Sequence, residues 1–313
     1  MIPLRSLVVG PGAIGRWLAM SLSMASARHE EQIHAPNVRL LGRRLLPGDQ
    51  ALTSPDGTLH HRMIDTFTDV RRAAQGVDWV HFTTKAYATQ AAFDALAPHL
   101  AADTPVVLWQ NGLRVQHPIT AAWSGPVLCA STTEGAYVVS DAQVVHAGHG
   151  QTLIGHLYGR HQDTAQALAG HLADAGLSCA AVDDIGNRLW HKLVVNAAIN
   201  PLVARYQIRN GQLRDRPFRP MLNATVDELA ELMTALEIPP PRIGDGDDRR
   251  RPWHALVWQV IDGTANNRAS MLQDRQANRP TEHDAILGPL LDAAAEHAIA
   301  TPCLSRRWQE LNA

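Results

Sequence analysis

The fold is decided by one stretch near the start of this 313-residue chain, Leu7-Val8-Val9-Gly10-Pro11-Gly12-Ala13-Ile14-Gly15. A short apolar run rich in β-branched residues leads into three glycines, and a helical pattern follows from Arg16 to about Ala27. This order predicts a strand, a tight turn and a helix. Further strand candidates at 38–41, 77–82 and 105–109 alternate with helical stretches, which indicates a parallel sheet with helices on both faces.

The three glycines have the spacing of a dinucleotide-binding turn. Gly10 permits the tight turn, Gly12 lets the backbone approach a pyrophosphate, and Gly15 lets helix and strand pack closely. The phosphates would lie at the free N–H groups of the helix N-terminus, with donors from Gly12 onward because Pro11 has none. A glycine-rich turn without a ligand is the alternative, but the strand–turn–helix context favours the dinucleotide.

The residues after the second strand indicate which nicotinamide cofactor is bound. An NAD site usually places an acid here for the ribose 2′-hydroxyl, whereas this chain has Gly42-Arg43-Arg44 and no acid until Asp49. An arginine can hold a 2′-phosphate with two parallel hydrogen bonds. We therefore predict NADP(H), with Arg43 as the first choice and Arg44 as the second. An exposed basic turn is the alternative.

The character of the chain changes twice after this α/β part. The stretch 126–155 predicts two or three short strands, with turns near Ser140-Asp141 and Gly148-His149-Gly150, and from about Ile185 the pattern is helical to the end. A chain of this length also favours two domains. We expect an α/β N-terminal Rossmann-type domain with a mainly parallel sheet over 1–183, and an all-α C-terminal domain over 184–313.

Lysine is rare in this chain. Only Lys85 and Lys192 occur among its 28 basic residues. Arginine stays protonated at any working pH, whereas lysine can act as an acid or a base.

Lys192, Asn196 and Asn200 would form one polar stripe on an otherwise apolar helix, which suits a cleft that holds a polar substrate. A solvent-facing stripe is the alternative, and Pro201 should kink or end the helix just after Asn200.

A second group of polar residues follows in the last third of the chain. Ser270 and Asp274 would share one face of a helix. Thr281 and Asp284 resemble a capping box for the next helix, with Glu282 in its first turn. Acids are favoured there by the helix dipole, so Glu282 alone would not be assigned a catalytic role.

Composition and charge narrow the class of protein. Hydrophobic residues make up 45% and charged residues 19% of the chain, as in an ordinary globular protein. A net charge of −2 gives no general attraction to nucleic acid or to anionic membranes, so neither is expected as a partner. Met1-Ile2-Pro3 leads directly into the first strand without a signal sequence or a long apolar run, and we therefore expect a cytoplasmic protein.

No metal site is expected. The three cysteines, Cys129, Cys179 and Cys303, are far apart and in no CxxC spacing, which indicates thiols in a reducing compartment. Among the 16 histidines, the pairs 60/61 and 146/149 lack a matching set of carboxylates or cysteines and are interpreted as ordinary surface residues.

The motifs along nearly the whole chain resemble those of the ketopantoate reductase (2-dehydropantoate 2-reductase) family. The matching motifs are Gly10 to Gly15, Thr84-Lys85, Gln110-Asn111-Gly112, Thr132-Thr133, the run from Trp190 through Lys192, Asn196 and Asn200 to Leu202, Asn210-Gly211, Ser270-Met271-Leu272-Gln273-Asp274 and Thr281-Glu282. The chain departs from the family in a longer loop over Ser26–Pro36 and in the segment Pro239–Arg251, rich in proline and arginine and expected to be a solvated loop between helices.

The resemblance implies a Rossmann domain and a helical domain with the active site in the cleft between them. It implies NADPH-dependent reduction of a 2-oxo acid to a 2-hydroxy acid, which for ketopantoate belongs to the pathway to pantothenate and coenzyme A. Lys192 would donate the proton and polarise the carbonyl group. Glu282 would orient that lysine or bind the substrate or the ribose.

The resemblance also implies binding residues. Besides the glycine turn and Arg43, the implied cofactor contacts are Lys85, Asn111, Ala136 and Glu282. The implied substrate contacts are Asn111, Lys192, Asn196, Asn200, Asn210 and Ser270.

Two other functions stay open at this point. One is reduction of another small 2-oxo acid by the same mechanism. The other is an NADP(H)-binding sensor without turnover, against which the intact stripe of Lys192 and the presence of Glu282 argue. A 2-oxo acid is the expected small-molecule partner, and a homodimer is a further possibility.

Overall fold

The computed structural model describes residues 4–27, 34–243 and 250–312. These residues form two compact units. The first holds the described residues up to Gln110 together with Val115–Gly186, and the second holds Asn111–Arg114 together with the described residues from Asn187 onward. The functional domain ranges 1–183 and 184–313 stay a prediction.

The first unit is an α/β structure. Its strands are β1 (Ser6–Val9), β2 (His34–Leu41), β3 (Asp49–Thr53), β4 (Leu59–Phe67), β5 (Trp79–Phe82), β6 (Val106–Leu108), β7 (Val127–Thr132), β8 (Gly135–Ser140), β9 (Gln143–Gly148), β10 (Thr152–Gly155) and β11 (Cys179–Ala181). Its helices are α1 (Ala13–Ala27), α2 (Val70–Ala74), α3 (Ala86–Leu96), α4 (Gln116–Ala122) and α5 (Gln162–Asp174), with a 3-10 turn at Ala97–His99.

The described strands form one sheet in the order β11-β10-β7-β6-β5-β1-β2-β4-β3-β9-β8. At its centre β1 pairs in parallel with β2 and β5, and β5, β6 and β7 continue in parallel. The pairs β3–β4, β7–β10 and β8–β9 are antiparallel. All four residues of β1 are buried, as expected of a parallel strand covered on both faces. The predicted mainly parallel α/β sheet is thus confirmed.

The second unit is helical, also as predicted. Its helices are α6 (Ile185–Tyr206), which begins at the end of the first unit, α7 (Arg219–Ala235), α8 (Arg251–Gly263), α9 (Ser270–Gln276), α10 (His283–Glu296) and α11 (Pro302–Asn312), with a 3-10 turn at Asn210–Arg214.

Three sequence expectations are corrected in detail. Helix α1 begins at Ala13 instead of Arg16. The stretch 126–155 forms four strands, β7 to β10, because a further break at Thr133-Glu134 separates β7 from β8 in addition to the two turns expected there. Of the loop expected over Ser26–Pro36, its first two residues end α1 and its last three begin β2, while 28–33 lie outside the described residues.

Helix α6 does not end before Pro201. It continues to Tyr206 with the proline inside it. The residues after the proline, Leu202, Val203 and Ala204, are all buried to 1% exposure or less. Their burial outweighs the single hydrogen bond that a proline removes from a helix.

The segment Pro239–Arg251 is described only at its two ends. Residues 239–243 lie outside regular structure after α7, and the described part resumes at Arg250, just before α8. Residues 244–249 lie outside the described part of the chain.

Candidate active site

The turn after β1 needs glycine for two separate reasons. Gly10 adopts a φ of 97°, which L-residues rarely adopt, and its N–H donates to the carbonyl of Leu41 at 2.9 Å. A Cβ on Gly10 would lie 2.6 Å from the amide nitrogen of Thr84. One on Gly15 would lie 2.3 Å from the carbonyl oxygen of Gly10. The start of α1 therefore packs directly on the turn.

Gly12 has a different environment from its neighbours. A Cβ there would meet nothing within 4 Å, and the residue is exposed at the start of α1. Its carbonyl accepts from the amide of Arg16 at 3.0 Å, which starts the helical hydrogen-bond pattern. Ala13 and Ile14 pack partly buried against the core. The helix N-terminus thus presents open space at the point where a pyrophosphate would approach.

The carboxyl ends of the central strands meet beside this turn. Thr83 donates through its N–H to Val9 at 2.8 Å and through its hydroxyl to Gly10 at 2.8 Å. The buried amide of Gln110, after β6, donates to the carbonyl of Phe82 at 2.7 Å and to that of Thr84 at 3.1 Å. Because β1 lies between β2 and β5, this edge is the switch point at which such sheets bind ligands.

Two further positions expected at the cofactor lie in the first unit. Lys85 is half-buried and directly precedes α3. Ala136, in β8, packs partly buried against the same core cluster as Ala13 and Ile14. The structure brings both into the α/β unit that carries the glycine turn.

The two arginines after β2 differ in their surroundings. Arg44 donates two hydrogen bonds of 2.5 Å to the carboxylate of Asp141. The turn that contains Asp141 is held by buried Arg16, which donates to the carbonyl oxygens of Ser140 at 2.8 Å and Asp141 at 2.9 Å. Arg43 is exposed, and its guanidinium has no hydrogen bond or ion pair with any described residue.

A polar stripe on α6 lies in the second unit. Lys192 and Asn196 are half-buried, and Asn200 is 7% exposed. Leu193 and Val194, between the first two, are fully buried. The stripe is therefore embedded in an apolar helix surface, unlike a stripe that faces solvent.

Glu282 is the acid whose charge acts on Lys192. It is 7% exposed and forms the N-cap residue of α10. Burial lowers the pKa of Lys192 from 10.5 to about 8, and the charge of Glu282 opposes that shift. The ammonium is therefore stable near neutral pH and releases its proton more easily than an exposed lysine would.

The capping box predicted for α10 is wrong. The helix begins one residue later than that motif requires, so Glu282 is the N-cap residue and makes no side-chain capping bond. The hydroxyl of Thr281 pairs instead with Nδ1 of His283 at 2.7 Å, and Asp284 binds Arg114.

The segment Asn111–Arg114 packs tightly against α10 within the second unit. Gly112 has a φ of 84°, and a Cβ there would lie 2.0 Å from the carbonyl oxygen of Ala285. That same carbonyl accepts from the amide of Leu113 at 3.2 Å. Asn111 is therefore held beside the first turn of the helix that Glu282 begins.

The remaining predicted substrate residues lie around the connection between α8 and α9. Asn210 is 7% exposed, donates to the hydroxyl of Thr264 at 2.9 Å, and has a buried Oδ1 without a hydrogen-bond partner in the described part of the chain. Ser270 is exposed at the start of α9. Asp274 is instead buried and accepts from Nε of Arg279 at 3.0 Å, which fixes the connection toward Glu282.

The other ionisable clusters do not resemble metal centres. Within 4–27, 34–243 and 250–312, no group of three His, Cys, Asp or Glu residues could hold a metal ion. His146 is buried, contrary to the expectation of a surface residue, because it pairs with Glu134 at 2.7 Å. Burial raises the pKa of the Cys129 thiol to about 12, which disfavours the thiolate form. No described helix is long and apolar enough to cross a membrane.

Comparison with known proteins gives consistent matches over nearly the whole chain. The family model described as ketopantoate reductase PanE/ApbA matches residues 6–159, and the model of its C-terminal part matches 184–313. A 2-dehydropantoate 2-reductase from Vibrio cholerae is 34% identical over 309 residues, covering 97% of this chain and 96% of that protein. One from Archaeoglobus fulgidus is 35% identical over 227 residues, 72% of each chain.

Two solved structures share the fold at low identity. The 2-dehydropantoate 2-reductase of Geobacter metallireducens superposes with a TM-score of 0.84 at 23% identity, covering 99% of both chains. D-mandelate dehydrogenase, solved with NADH and anilino(oxo)acetate, gives a TM-score of 0.81 at 20% identity, covering 98% of this chain and 97% of its own.

The matches and the site together define an NAD(P)-dependent oxidoreductase that acts on a 2-oxo acid. Because the two family models cover most of its length, the chain belongs to the ketopantoate reductase family.

Proposed function

We propose that this protein reduces ketopantoate to pantoate with NADPH, and that Lys192 donates the proton. The observation that carries the proposal is the half-buried Lys192, whose pKa is lowered to about 8, on the same helix as Asn196 and Asn200. The substrate follows from the 2-dehydropantoate 2-reductases to which the chain is similar.

The proposed chemistry matches the residue types. A bound reduced nicotinamide would supply a hydride to the carbonyl carbon of the 2-oxo acid. Negative charge then develops on the carbonyl oxygen, which the ammonium of Lys192 stabilises and neutralises by giving up a proton. Glu282 keeps the lysine protonated in the ground state by opposing the effect of burial. Asn111, Asn196, Asn200, Asn210 and Ser270 are proposed to bind the substrate.

The choice of NADPH rests on Arg43. A 2′-phosphate carries negative charge that an arginine can meet with two parallel hydrogen bonds. Arg44 is engaged by Asp141, whereas Arg43 is exposed and has no described partner. Arg43 is therefore the proposed ligand of the 2′-phosphate. Gly10 to Gly15, Lys85, Ala136, Asn111 and Glu282 are the other proposed cofactor contacts.

A second candidate function keeps the chemistry and changes the acid. D-mandelate dehydrogenase has the same fold, so the fold alone does not select ketopantoate among 2-oxo acids. A sensor without turnover is disfavoured because it has no need of a lysine with a lowered pKa beside a buried glutamate. A homodimer and a cytoplasmic location stay predictions.

The test is oxidation of NADPH and of NADH, followed with ketopantoate and a panel of other 2-oxo acids that includes benzoylformate, the acid corresponding to mandelate. We expect the highest kcat/KM for ketopantoate with NADPH. A higher kcat/KM for another 2-oxo acid would identify that acid as the substrate instead of ketopantoate. Failure of every acid to be reduced, with tight NADPH binding retained, would favour the sensor.

A further inference from the structure

Arg114 joins the segment Asn111–Arg114 to two turns of α10 at once. Its Nε and Nη2 atoms donate to the carboxylate of Asp284 at 3.2 and 3.1 Å. Its Nη1 atom donates to the carboxylate of Asp292 at 2.5 Å. The two acids are eight residues apart on α10, and one guanidinium bridges them across the helix surface.

Gly288, midway between these acids, makes room for the guanidinium. A Cβ on Gly288 would lie 2.2 Å from Nη2 of Arg114 and 2.8 Å from its Cζ. The guanidinium of Arg114 therefore packs against α10 at Gly288, in the space that a side chain at this position would occupy. A surface arginine that merely paired with two acids would not need this bare helix surface.

The same segment is fixed at its other end by backbone contacts. Gly112 approaches the carbonyl of Ala285 more closely than any residue with a Cβ could, and Leu113 donates to that carbonyl. The segment therefore has a backbone attachment at Ala285, one turn after Glu282, and a side-chain attachment to Asp284 and Asp292 on either side of it. Asn111 is the residue immediately before the first attachment.

We infer that Arg114 is a positioning residue, which holds Asn111 and the α10 turn that begins at Glu282 in a fixed arrangement relative to each other. This inference rests on the proposed function, in which Asn111 and Glu282 serve the reaction. The guanidinium of Arg114 is bound to Asp284 and Asp292, and its effect on the reaction passes through Asn111 and Glu282. It acts by keeping the segment docked, since small displacements of positioned groups lower catalytic rates steeply.

Two independent variants remove the bridge from Arg114 to Asp284 and Asp292. Arg114→Ala deletes the guanidinium, and Gly288→Ala leaves it present but occupies its place on α10. For each, we expect kcat to fall on the order of tenfold to a hundredfold, with a smaller rise in the KM for NADPH because most of the proposed cofactor contacts lie in the glycine turn and at Arg43. Since both remove one interaction, the double variant should be no slower than the slower single variant.

Arg306→Ala is the matched control, because Arg306 forms an exposed ion pair with Glu310 in the same unit. It should leave kcat unchanged. Arg114→Lys keeps the charge but cannot reach both acids with a forked group, so its kcat should lie between those of Arg114→Ala and the parent. Full activity of Arg114→Ala in a protein whose parent reduces ketopantoate would overturn the inference, as would additive losses in the double variant.

Hydrogen exchange separates this inference from the proposed function. The peptide that contains Leu113 should exchange faster in Arg114→Ala and in Gly288→Ala than in the parent or in Arg306→Ala, whether or not ketopantoate is the substrate. Unchanged exchange in both variants would show that Arg114 does not hold the segment. A parent enzyme that reduces no 2-oxo acid would refute the proposed function while leaving this measurement valid.

Discussion

The carboxylate of Asp141 engages both terminal nitrogens of Arg44, at 2.5 Å each. These two residues are far apart in sequence, and buried Arg16 holds the Asp141 turn in place through backbone carbonyls. The pairing with Arg44 also lowers the pKa of Asp141, so the pair stays ionised at neutral pH. Arg44 is thereby held in an ion pair, whereas the adjacent Arg43, which looks equivalent in the sequence, is exposed.

For cofactor selection we expect Arg43→Ala to raise the KM for NADPH on the order of tenfold to a hundredfold, because it removes charge-assisted hydrogen bonds to the 2′-phosphate. The KM for NADH should change little. Arg44→Ala is the matched control and should affect NADPH less. Initial rates with both cofactors measure this, and equal effects of Arg43→Ala on NADPH and NADH would refute recognition of the 2′-phosphate by this residue.

The proton-donor role predicts a large effect of Lys192→Arg. The variant keeps the positive charge but cannot release a proton at working pH. We expect kcat to fall on the order of a hundredfold or more, with a smaller change in the KM for ketopantoate. Steady-state kinetics measure both constants. A kcat of Lys192→Arg close to that of the parent would show that another group donates the proton.

The pH dependence of the rate should report the interaction of Lys192 with Glu282. Activity requires the protonated lysine and should decline as pH rises through about 8. Glu282→Gln removes the charge that raises the pKa of Lys192, so the alkaline limb should move to lower pH. Glu296→Gln, at the exposed far end of α10, is the control and should not move it. The same alkaline limb in all three proteins would contradict the coupling.

Glu228 on α7 should contribute to stability by capping α11. Its carboxylate accepts from the amides of Cys303 at 2.6 Å and Leu304 at 3.0 Å, at the positive end of the helix dipole. We expect Glu228→Ala to lower the free energy of unfolding by about 1–3 kcal/mol, since it leaves buried donors unsatisfied. Urea denaturation measures the change.

The control for this cap lies one turn away on α7. Glu231 forms an exposed ion pair with Arg250 at 2.6 Å. Glu231→Ala should cost about 0–1 kcal/mol. A loss for Glu228→Ala no larger than that of Glu231→Ala would show that the cap adds little.

His81 should make the protein sensitive to acid. It is fully buried in β5, its Nδ1 accepts from Nε1 of Trp109 at 3.3 Å, and burial lowers its pKa to about 3. The unfolded chain titrates near 6.5 and therefore binds the proton first. Stability from neutral His81 is complete above about pH 6.5 and falls with decreasing pH by at most about 1.4 kcal/mol per pH unit.

His81→Leu should flatten this dependence, because the variant has nothing to protonate at that site. Urea midpoints measured between pH 7 and pH 5, a range chosen to lie just around the unfolded pKa of about 6.5, give the slopes. His99→Gln, in the turn after α3, should keep the parental slope. If His81→Leu and the parent lost stability at the same rate, other groups would govern acid unfolding.

The local parts of the fold and site follow from the sequence. The strand, glycine turn and helix are encoded within residues 7–27, since glycine geometry and apolar patterning act over a few residues. The stripe of Lys192, Asn196 and Asn200 follows from helical spacing in the same way. The capping box failed because several starts are compatible with the residues around Thr281, and the tertiary contacts of Asp284 with Arg114 and of His283 with Asn312 selected one.

The long-range parts do not follow from the sequence. Arg114 binds an acid 170 positions away, and Arg44 binds one 97 positions away. No periodicity or motif connects such partners, because their meeting depends on the complete packing of the chain. The only local signal near Arg114 was Gly112, whose positive φ marks a tight turn but does not reveal which helix it packs against.

The placement of Asn111–Arg114 in the second unit has a consequence for dissecting the protein. A cut after Gly186 would not release a whole helical unit, because four of its residues are encoded more than seventy positions earlier. The carboxylates of Asp284 and Asp292 would lose the guanidinium that pairs with both of them. An independently folding helical fragment would therefore have to carry residues 111–114 back to α10 through an added linker.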